Sequence, residues 1–358
     1  LLPHSWQLEV TVFIESGFSM IKNSSGYSVE AEVPVISLVI PIYNEREVLP
    51  VCLPRLDKVM REVGFFFEAI FVDDGSKDDG YEYLVEQSRR YSWIRLVRLS
   101  RNFGKEAALT AGLDYAAGEA VVILDADLQD PPECIPKMVE AWRAGVDVVL
   151  MQRRTRCGES WVKRASSYLF YRLLNRLSDC EIPADVGDFR LMSRRCLQAV
   201  LELPERNRYM KGLFSWVGMP TEVIQYDRGA RVAGKTKWNY AGLIGLAMEG
   251  ITSFSIAPLR WAAVMGVFSA IFGGGFGLWI IFKAMVFGAQ VAGYPSLIAL
   301  ITCLGGVQLI TFGILGEYVG KTYLEAKRRP IYLVREVLSA VRGGEAASAR
   351  GGCNARDH

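Results

Sequence analysis

Two long segments without charged residues, near the end of the 358-residue sequence, limit most strongly what this chain can fold into. They run from Trp261 to Phe282 and from Leu297 to Gly316. A bilayer core about 30 Å thick needs roughly 20 helical residues, so each segment is long enough to span it. Soluble helices seldom stay apolar on every face over such a length. The sequence therefore predicts two transmembrane helices within residues 258–320.

Basic residues flank this pair of segments unevenly. The loop between the segments offers only Lys283. The flanks carry Arg228, Arg231, Lys235, Lys237 and Arg260 on one side and Lys321, Lys327, Arg328 and Arg329 on the other. By the positive-inside tendency, both ends of the hairpin face the cytoplasm, which predicts a multi-pass inner-membrane protein with its catalytic domain and both termini inside. Residues 240–257 are apolar but interrupted, which fits a helix lying in the membrane interface or a buried helix.

Most of the charge lies in residues 35–239, where short β-branched runs alternate with helical patterns. The predicted strands are 35–40, 68–72, 94–99, 120–124 and 147–151. Helices are predicted at 45–63, 80–91, 105–117 and 132–144. Such alternation with short loops favours an α/β domain with a mostly parallel sheet covered on both faces. Residues 1–34 and 321–358 are predicted to be tails.

The composition excludes several other classes of protein. A net charge of +2 is too small to indicate nucleic-acid binding. The 7 cysteines are scattered singly without a Cys-x-x-Cys pair, which predicts neither a disulfide framework nor a zinc site. The first nineteen residues lack the charged start and apolar run of a secretory signal. The thiols are therefore expected to be reduced.

Polar motifs follow four of the predicted strands, and ligands bind at that edge of parallel sheets. After one strand, Asp125, Asp127 and Gln129 alternate, so their side chains can point the same way and bind one hard cation, Mg²⁺ or Mn²⁺. After another, Asp73 and Asp74 precede Gly-Ser. This second pair fits either a turn that caps the next helix or acceptors for a nucleobase or ribose.

Seven motifs in order give the sequence a specific resemblance. They are Pro41-Ile-Tyr-Asn-Glu45, Asp73-Asp-Gly-Ser76, Leu99-Ser-Arg-Asn-Phe-Gly-Lys105, Asp125-Ala-Asp-Leu-Gln-Asp-Pro-Pro-Glu133, Gly187-Asp-Phe-Arg-Leu-Met192, Asn207-Arg-Tyr-Met-Lys-Gly212 and Arg231-Val-Ala-Gly-Lys-Thr-Lys-Trp238. Over residues 35–325 the chain resembles family 2 glycosyltransferases of the polyisoprenyl-phosphate branch. That branch includes dolichyl-phosphate mannose synthase and bacterial undecaprenyl-phosphate glucosyltransferases and aminoarabinosyltransferases. Thr236 departs from the Ser expected there but keeps the hydroxyl.

The resemblance implies a GT-A, Rossmann-like catalytic domain and a role for each matching residue. The nucleotide would be bound by Pro41, Tyr43, Glu45, Asp73, Asp74, Lys105 and Asp125. The metal would be held by Asp125, Asp127 and Gln129. The acceptor phosphate would meet Arg153, Arg231 and Lys235. Catalysis would depend on Asp127, Asp188, Arg190 and Arg231. Arginine suits these tasks because its planar fork can bind phosphate oxygens in pairs.

The implied reaction moves a sugar from a nucleotide diphosphate sugar to a polyisoprenyl phosphate. The second pKa of a phosphate monoester is about 6, so the acceptor oxygen is largely ionised and needs no strong base. A single displacement predicts inversion without a covalent sugar–enzyme intermediate. Asp188 is open to three interpretations: it orients the sugar or an arginine, acts as a base, or forms a structural salt bridge. Two spans resemble bacterial enzymes that use UDP-sugars, such as UDP-glucose, on undecaprenyl phosphate, and the resemblance also implies a homo-oligomer such as a tetramer.

Three other functions fit the sequence less well. A processive polysaccharide synthase generally needs more spans, and the sequence has no Gln-x-x-Arg-Trp motif. A non-catalytic membrane subunit that recruits partners would not need the complete set of aspartates. A soluble nucleotidyltransferase is disfavoured by the two spans and by the lack of a Gly-rich loop bearing a lysine.

Overall fold

The computed structural model describes residues 19–22, 28–31, 34–154, 186–206, 208, 210–227, 229, 252, 255–287 and 294–339. The strands are β1 Ser19–Lys22, β2 Ser28–Ala31, β3 Ile36–Ile42, β4 Phe67–Asp73, β5 Ile94–Leu99, β6 Ala120–Ile123, β7 Val148–Arg153, β8 Val186–Ser193, β9 Thr221–Tyr226 and β10 Val334–Ser339. The helices are α1 Leu49–Val63, α2 Gly80–Gln87, α3 Lys105–Tyr115, α4 Ile135–Arg143, α5 Arg194–Leu201, α6 Met210–Trp216, α7 Ala257–Phe287 and α8 Tyr294–Ala326.

Eight of these strands form one mixed sheet in the order β10-β5-β4-β3-β6-β8-β7-β9. Strands β5, β4, β3 and β6 are parallel, as are β7 and β9, whereas β8 runs antiparallel to β6 and β7. Because helices cover both faces, β3 and β4 are buried along nearly their whole length, which explains their continuous apolar sequences. The predicted α/β fold with a mostly parallel sheet is confirmed.

Helix α3 packs closely on the centre of the sheet, and Gly112 makes this contact possible. A Cβ atom at position 112 would lie 2.3 Å from Val39 Cγ1 and 3.2 Å from Val72 Cγ2. Both valines are fully buried, so neither can move into solvent. A side chain at this position would therefore push the helix away from β3 and β4.

We expect Gly112→Ala to lower the free energy of unfolding by about 1–3 kcal/mol, because overpacking forces the helix and strands apart. The measurement is the thermal unfolding midpoint of the detergent-solubilised protein. A double variant with Val39→Ala, which removes the nearest methyl group, should regain part of the loss. An unchanged midpoint for the single variant would contradict this account of the packing.

The chain returns to the catalytic sheet after its last helix. β10 pairs antiparallel with β5, and the Ser100 N–H donates to the Leu333 carbonyl at 2.8 Å. Nearby, the Tyr332 hydroxyl donates to Asp114 at 2.6 Å. Residues 334–339 therefore form a sheet edge, which differs from the tail predicted for 321–358. Residues 19–22 and 28–31, within the predicted N-terminal tail, form an antiparallel hairpin.

Helices α7 and α8 are both long and apolar enough to cross a membrane. Their qualifying stretches, Ala257–Lys283 and Leu300–Ala326, have mean hydropathies of 1.9 and 1.6, and neither is buried inside the protein. Gly273 lies against Leu304, to which a Cβ atom at position 273 would be 3.6 Å distant. The two helices thus pack side by side while exposing large apolar side chains, such as Phe272 and Phe312. The predicted interfacial helix, 240–257, lies almost entirely outside the described residues.

Candidate active site

The polar side chains that the sequence singles out gather at one edge of the sheet. The parallel strands β3, β4, β6 and β7 all end at this edge. Because β8 runs in the opposite direction, its beginning rather than its end lies here, next to the end of β7. This reversed strand brings Asp188 to the same edge as Asp125 and Arg153.

Lys105, the first residue of α3, lies between two of the predicted site carboxylates. Its Nζ is 2.7 Å from Asp125 Oδ1 and 2.7 Å from Asp188 Oδ2. Desolvation on its own lowers the pKa of Lys105, but the two carboxylates outweigh it, so the pKa of the lysine is raised. The ammonium therefore stays charged and links the loop after β6 with the beginning of β8, where Asp188 is 83 residues from Lys105 in sequence.

The loop after β6 alternates between exposed and buried residues. Asp125, Asp127 and Gln129 are partly exposed, whereas Leu128 and Asp130 are buried. The Gln129 N–H donates to Asp127 Oδ1 at 3.1 Å, and Leu128 has a φ of 56°, in the left-handed region. This tight turn keeps three oxygen-bearing side chains on the open side of the loop.

The Arg190 guanidinium supports the backbone beside Asp188. Arg190 is 3% exposed, and its Nη2 donates to the Gly187 carbonyl at 2.9 Å. Its Cζ also lies 4.2 Å from the centre of the Phe214 ring, a cation–π contact. Burial lowers the pKa of Arg190 to about 10, so the side chain is still protonated at neutral pH. Its predicted catalytic role stays a prediction, since the described contacts are to the protein itself.

Asp73 and Asp74 are buried, and each binds groups of the protein. Asp73 accepts from the Ser76 N–H at 2.9 Å and lies 3.3 Å from Arg98 Nε. Asp74 accepts from the N–H groups of Phe103 and Gly104, at 2.7 and 2.9 Å. Desolvation raises the pKa of Asp74, although these two hydrogen bonds oppose the shift. Both aspartates thus organise loops around the cleft, and their binding of a nucleotide stays a prediction.

The residues predicted to frame the nucleoside lie at the end of β3. Pro41 is opposite Val72 in the sheet, and Tyr43 and Glu45 follow in the next loop, partly exposed. Between them, Asn44 has a φ of 55° and its Oδ1 accepts from the Lys77 N–H at 2.7 Å. This bond ties the loops after β3 and β4 together and so holds the backbone that carries Tyr43 and Glu45 in place.

Sequence reasoning missed two buried residues beside the site, Asp130 and Tyr226. The Tyr226 hydroxyl donates to Asp130 Oδ1 and accepts from Arg153 Nε, 3.4 Å away. One signal for Asp130 is present in the sequence. It lies an odd number of residues after Asp125 and Asp127, so on an extended segment its side chain points to the opposite side, away from theirs. Nothing in the local sequence marks Tyr226, which is the last residue of an edge strand.

The oxygen donors present fit a hard divalent cation. Among the residues that the structure describes, no group of three or more His, Cys, Asp or Glu side chains could hold a metal ion by itself. Mg²⁺ and Mn²⁺ sites commonly need only one or two carboxylates together with substrate phosphates. Asp125, Asp127 and the Gln129 amide supply such a partial set, and Asp125 already attracts the Lys105 ammonium. Arg231 and Lys235 lie outside the described residues.

An α/β domain that gathers carboxylates and cationic groups at the carboxyl edge of its sheet is typical of enzymes that bind phosphorylated ligands there. The sequence matches Glycosyl transferase family 2 over residues 37–201. The bactoprenol glucosyl transferase of Shigella phage SfV is 46% identical over 300 residues, which cover 84% of this chain and 98% of that protein. The prophage bactoprenol glucosyl transferase homolog of Escherichia coli strain K12 is 44% identical and is covered to 99%.

Among solved structures, the chain is similar to glucosyl-3-phosphoglycerate synthase from Mycobacterium tuberculosis, with a TM-score of 0.44 and 20% identity over 61% of this chain and 76% of that one. The assignment of this chain to a family depends on the two bactoprenol glucosyl transferase relatives, because they are matched over nearly their full length. The chain belongs to glycosyl transferase family 2, and it is a glycosyltransferase with a GT-A, Rossmann-like domain followed by two long apolar helices. The predicted family and fold class are both confirmed.

Proposed function

We propose that this enzyme transfers glucose from UDP-glucose to a polyisoprenyl phosphate, such as undecaprenyl phosphate, with inversion at the anomeric carbon. One observation carries the proposal: at the sheet edge of a family 2 glycosyltransferase, Lys105 contacts both Asp125 and Asp188. Relatives that are named bactoprenol glucosyl transferases support glucose as the sugar and a polyprenyl carrier as the acceptor.

The chain's own residues have two tasks in this reaction. Tyr43 and Glu45 would contact the nucleoside, on the loop that Asn44 joins to the loop after β4. Asp125, Asp127 and Gln129 would hold Mg²⁺ or Mn²⁺, which when bound supplies positive charge to neutralise the departing diphosphate. Because the acceptor monophosphate is already ionised near neutral pH, no protein base is required for its attack.

The acceptor would arrive from a membrane that α7 and α8 span. Both ends of this helical hairpin join the same catalytic domain, since β10 follows α8 and pairs with β5. In addition, the Arg206 N–H donates to Glu325 of α8 at 3.0 Å, which fastens the domain to the end of that helix. We infer that the catalytic domain lies on the cytoplasmic face, where the basic residues 327–329 follow α8. Cationic groups for the acceptor phosphate would then be Arg153, Arg231 and Lys235.

A direct assay tests the proposed reaction. Purified protein is supplied with radiolabelled UDP-glucose or GDP-mannose, Mn²⁺ and undecaprenyl phosphate, and the products are extracted into organic solvent. We expect label from UDP-glucose in a lipid that carries one sugar, with the β-configuration that inversion of UDP-α-glucose would give. A long polymer, or label from GDP-mannose only, would overturn the proposal.

We expect Lys105→Met to strengthen binding of Mn²⁺ in the absence of nucleotide by about tenfold. The ammonium competes with a metal for Asp125, and partial solvent screening of the site limits the gain in affinity when the ammonium is removed. Electron paramagnetic resonance of free Mn²⁺ measures the affinity directly. Lys58→Met, on the exposed face of α1, removes the same charge elsewhere and should leave the affinity unchanged. Equal affinities for Lys105→Met and wild type would show that Lys105 does not compete with the metal.

A further inference from the structure

One hydroxyl group connects the loop after β6 with the end of β7. The Tyr226 hydroxyl donates its single proton to Asp130 and therefore has lone pairs available to accept from Arg153. Tyr226 is 4% exposed and Asp130 is 2% exposed, so neither group is bound mainly by solvent. Burial and the adjacent Asp130 charge both raise the pKa of Tyr226, which keeps the hydroxyl protonated.

The partners of this hydroxyl belong to the two sides of the candidate site. Asp130 ends the loop that carries Asp125, Asp127 and Gln129. On the other side, the Arg153 guanidinium lies against the residue before Asp188, because a Cβ atom at position 187 would be 3.3 Å from Arg153 Nη2. A displacement of the Tyr226 hydroxyl would therefore shift both the loop that carries the oxygen donors and the guanidinium of Arg153.

The backbone around Tyr226 reinforces the connection. Its carbonyl accepts from the Arg154 N–H at 2.9 Å, and the Gly229 N–H donates to the Gln129 carbonyl, also at 2.9 Å. The Tyr226 ring meets the Phe189 ring edge-on, with ring centres 5.8 Å apart. These contacts fix the ring, so the hydroxyl has a defined position between Asp130 and Arg153.

We propose that Tyr226 and Asp130 are positioning residues, which set the geometry of the metal-binding loop and of Arg153 without touching the substrate. The inference rests on the proposed metal-dependent transfer. It assigns the buried carboxylate of Asp130 to loop geometry and leaves cation binding to Asp125, Asp127 and Gln129. Removal of the Tyr226 hydroxyl leaves Asp130 and Arg153 without their shared partner, so the loop and the arginine can shift independently.

We expect Tyr226→Phe to weaken Mn²⁺ binding in the presence of UDP by about tenfold, and to lower kcat more than it raises KM for UDP-glucose. Asp130→Asn keeps an oxygen that accepts from the tyrosine, so its Mn²⁺ affinity should fall less than that of Asp130→Ala. Electron paramagnetic resonance and steady-state kinetics give the two readouts, and thermal unfolding is measured for every variant.

Tyr332→Phe is the matched control, because it also removes a bond from a tyrosine hydroxyl to an aspartate. Its partner Asp114 lies near the end of α3, whereas Lys105 lies at the beginning of that helix. We expect this control to lower the unfolding midpoint without changing the Mn²⁺ affinity. If Tyr226→Phe loses no more Mn²⁺ affinity than Tyr332→Phe, the inference is wrong. If wild type neither binds Mn²⁺ with UDP nor transfers glucose, the proposed function fails instead.

Discussion

Asp127→Asn is expected to lower kcat for glucose transfer by about a thousandfold, which corresponds to about 4 kcal/mol of transition-state stabilisation. The substitution removes a negatively charged ligand where the departing diphosphate would need a metal ion. It also preserves the local turn. The Gln129 N–H donates to Asp127 Oδ1 at 3.1 Å in the wild-type protein, and an asparagine oxygen can accept the same hydrogen bond. Single-turnover transfer to undecaprenyl phosphate, at saturating UDP-glucose, measures the effect on the chemical step.

Asp147→Asn provides the control for Asp127→Asn. Asp147 accepts from the Ser193 hydroxyl at 2.6 Å and precedes β7, so it lies at the opposite edge of the sheet from the site. The control removes a carboxylate of similar burial, and the rate of transfer should stay within about twofold of wild type. Unchanged turnover by Asp127→Asn would remove the support for a metal at this loop and favour a non-catalytic role for the domain.

The parts of the fold that follow from local sequence patterns were predictable. The strand predicted at 94–99 coincides with β5, and the buried run at 120–124 differs from β6 by one residue. β6 is apolar throughout because both faces of the sheet are covered there, whereas β5 keeps Arg95 and Arg98 at partly exposed positions. Turn residues mark the ends of the strands. The helix predicted at 45–63 begins only at Leu49, because the chain first forms turns that include Asn44 in the left-handed region.

Pairings between distant segments were not predictable in the same way. The sequence of β10 gives no sign that it returns from a long apolar helix to pair with β5, because register depends on partners far along the chain. For the same reason, the ion pairs of Lys105 with Asp125 and Asp188 follow from the position of the antiparallel strand β8, and no motif reveals them. The motif Asp73-Asp74 predicted polar groups at the edge correctly, but local sequence cannot tell that both are buried.

Asp188→Asn is expected to lower kcat by about a hundredfold while the pH dependence keeps its shape. Asp188 contacts Lys105 at 2.7 Å, and its own carbonyl lies 3.4 Å from Arg190 Nε, so it belongs to a network that orients the site. Displacement of such a network by about 1 Å can cost about a hundredfold in rate. The measurement is kcat/KM for undecaprenyl phosphate between pH 5 and 8, for the variant and for wild type.

The acid limb of that profile separates the two chemical roles of Asp188. The acceptor phosphate gains a proton as the pH falls through its second pKa of about 6, and the protonated oxygen is a poorer nucleophile. If Asp188 only orients, wild type and Asp188→Asn lose kcat/KM together below about pH 6, because the limb belongs to the lipid substrate. If Asp188 were a general base, its own protonation would add to the wild-type limb, and asparagine, which does not titrate, would make the limb shallower. A shallower limb in the variant would therefore show that the phosphate does not attack unaided.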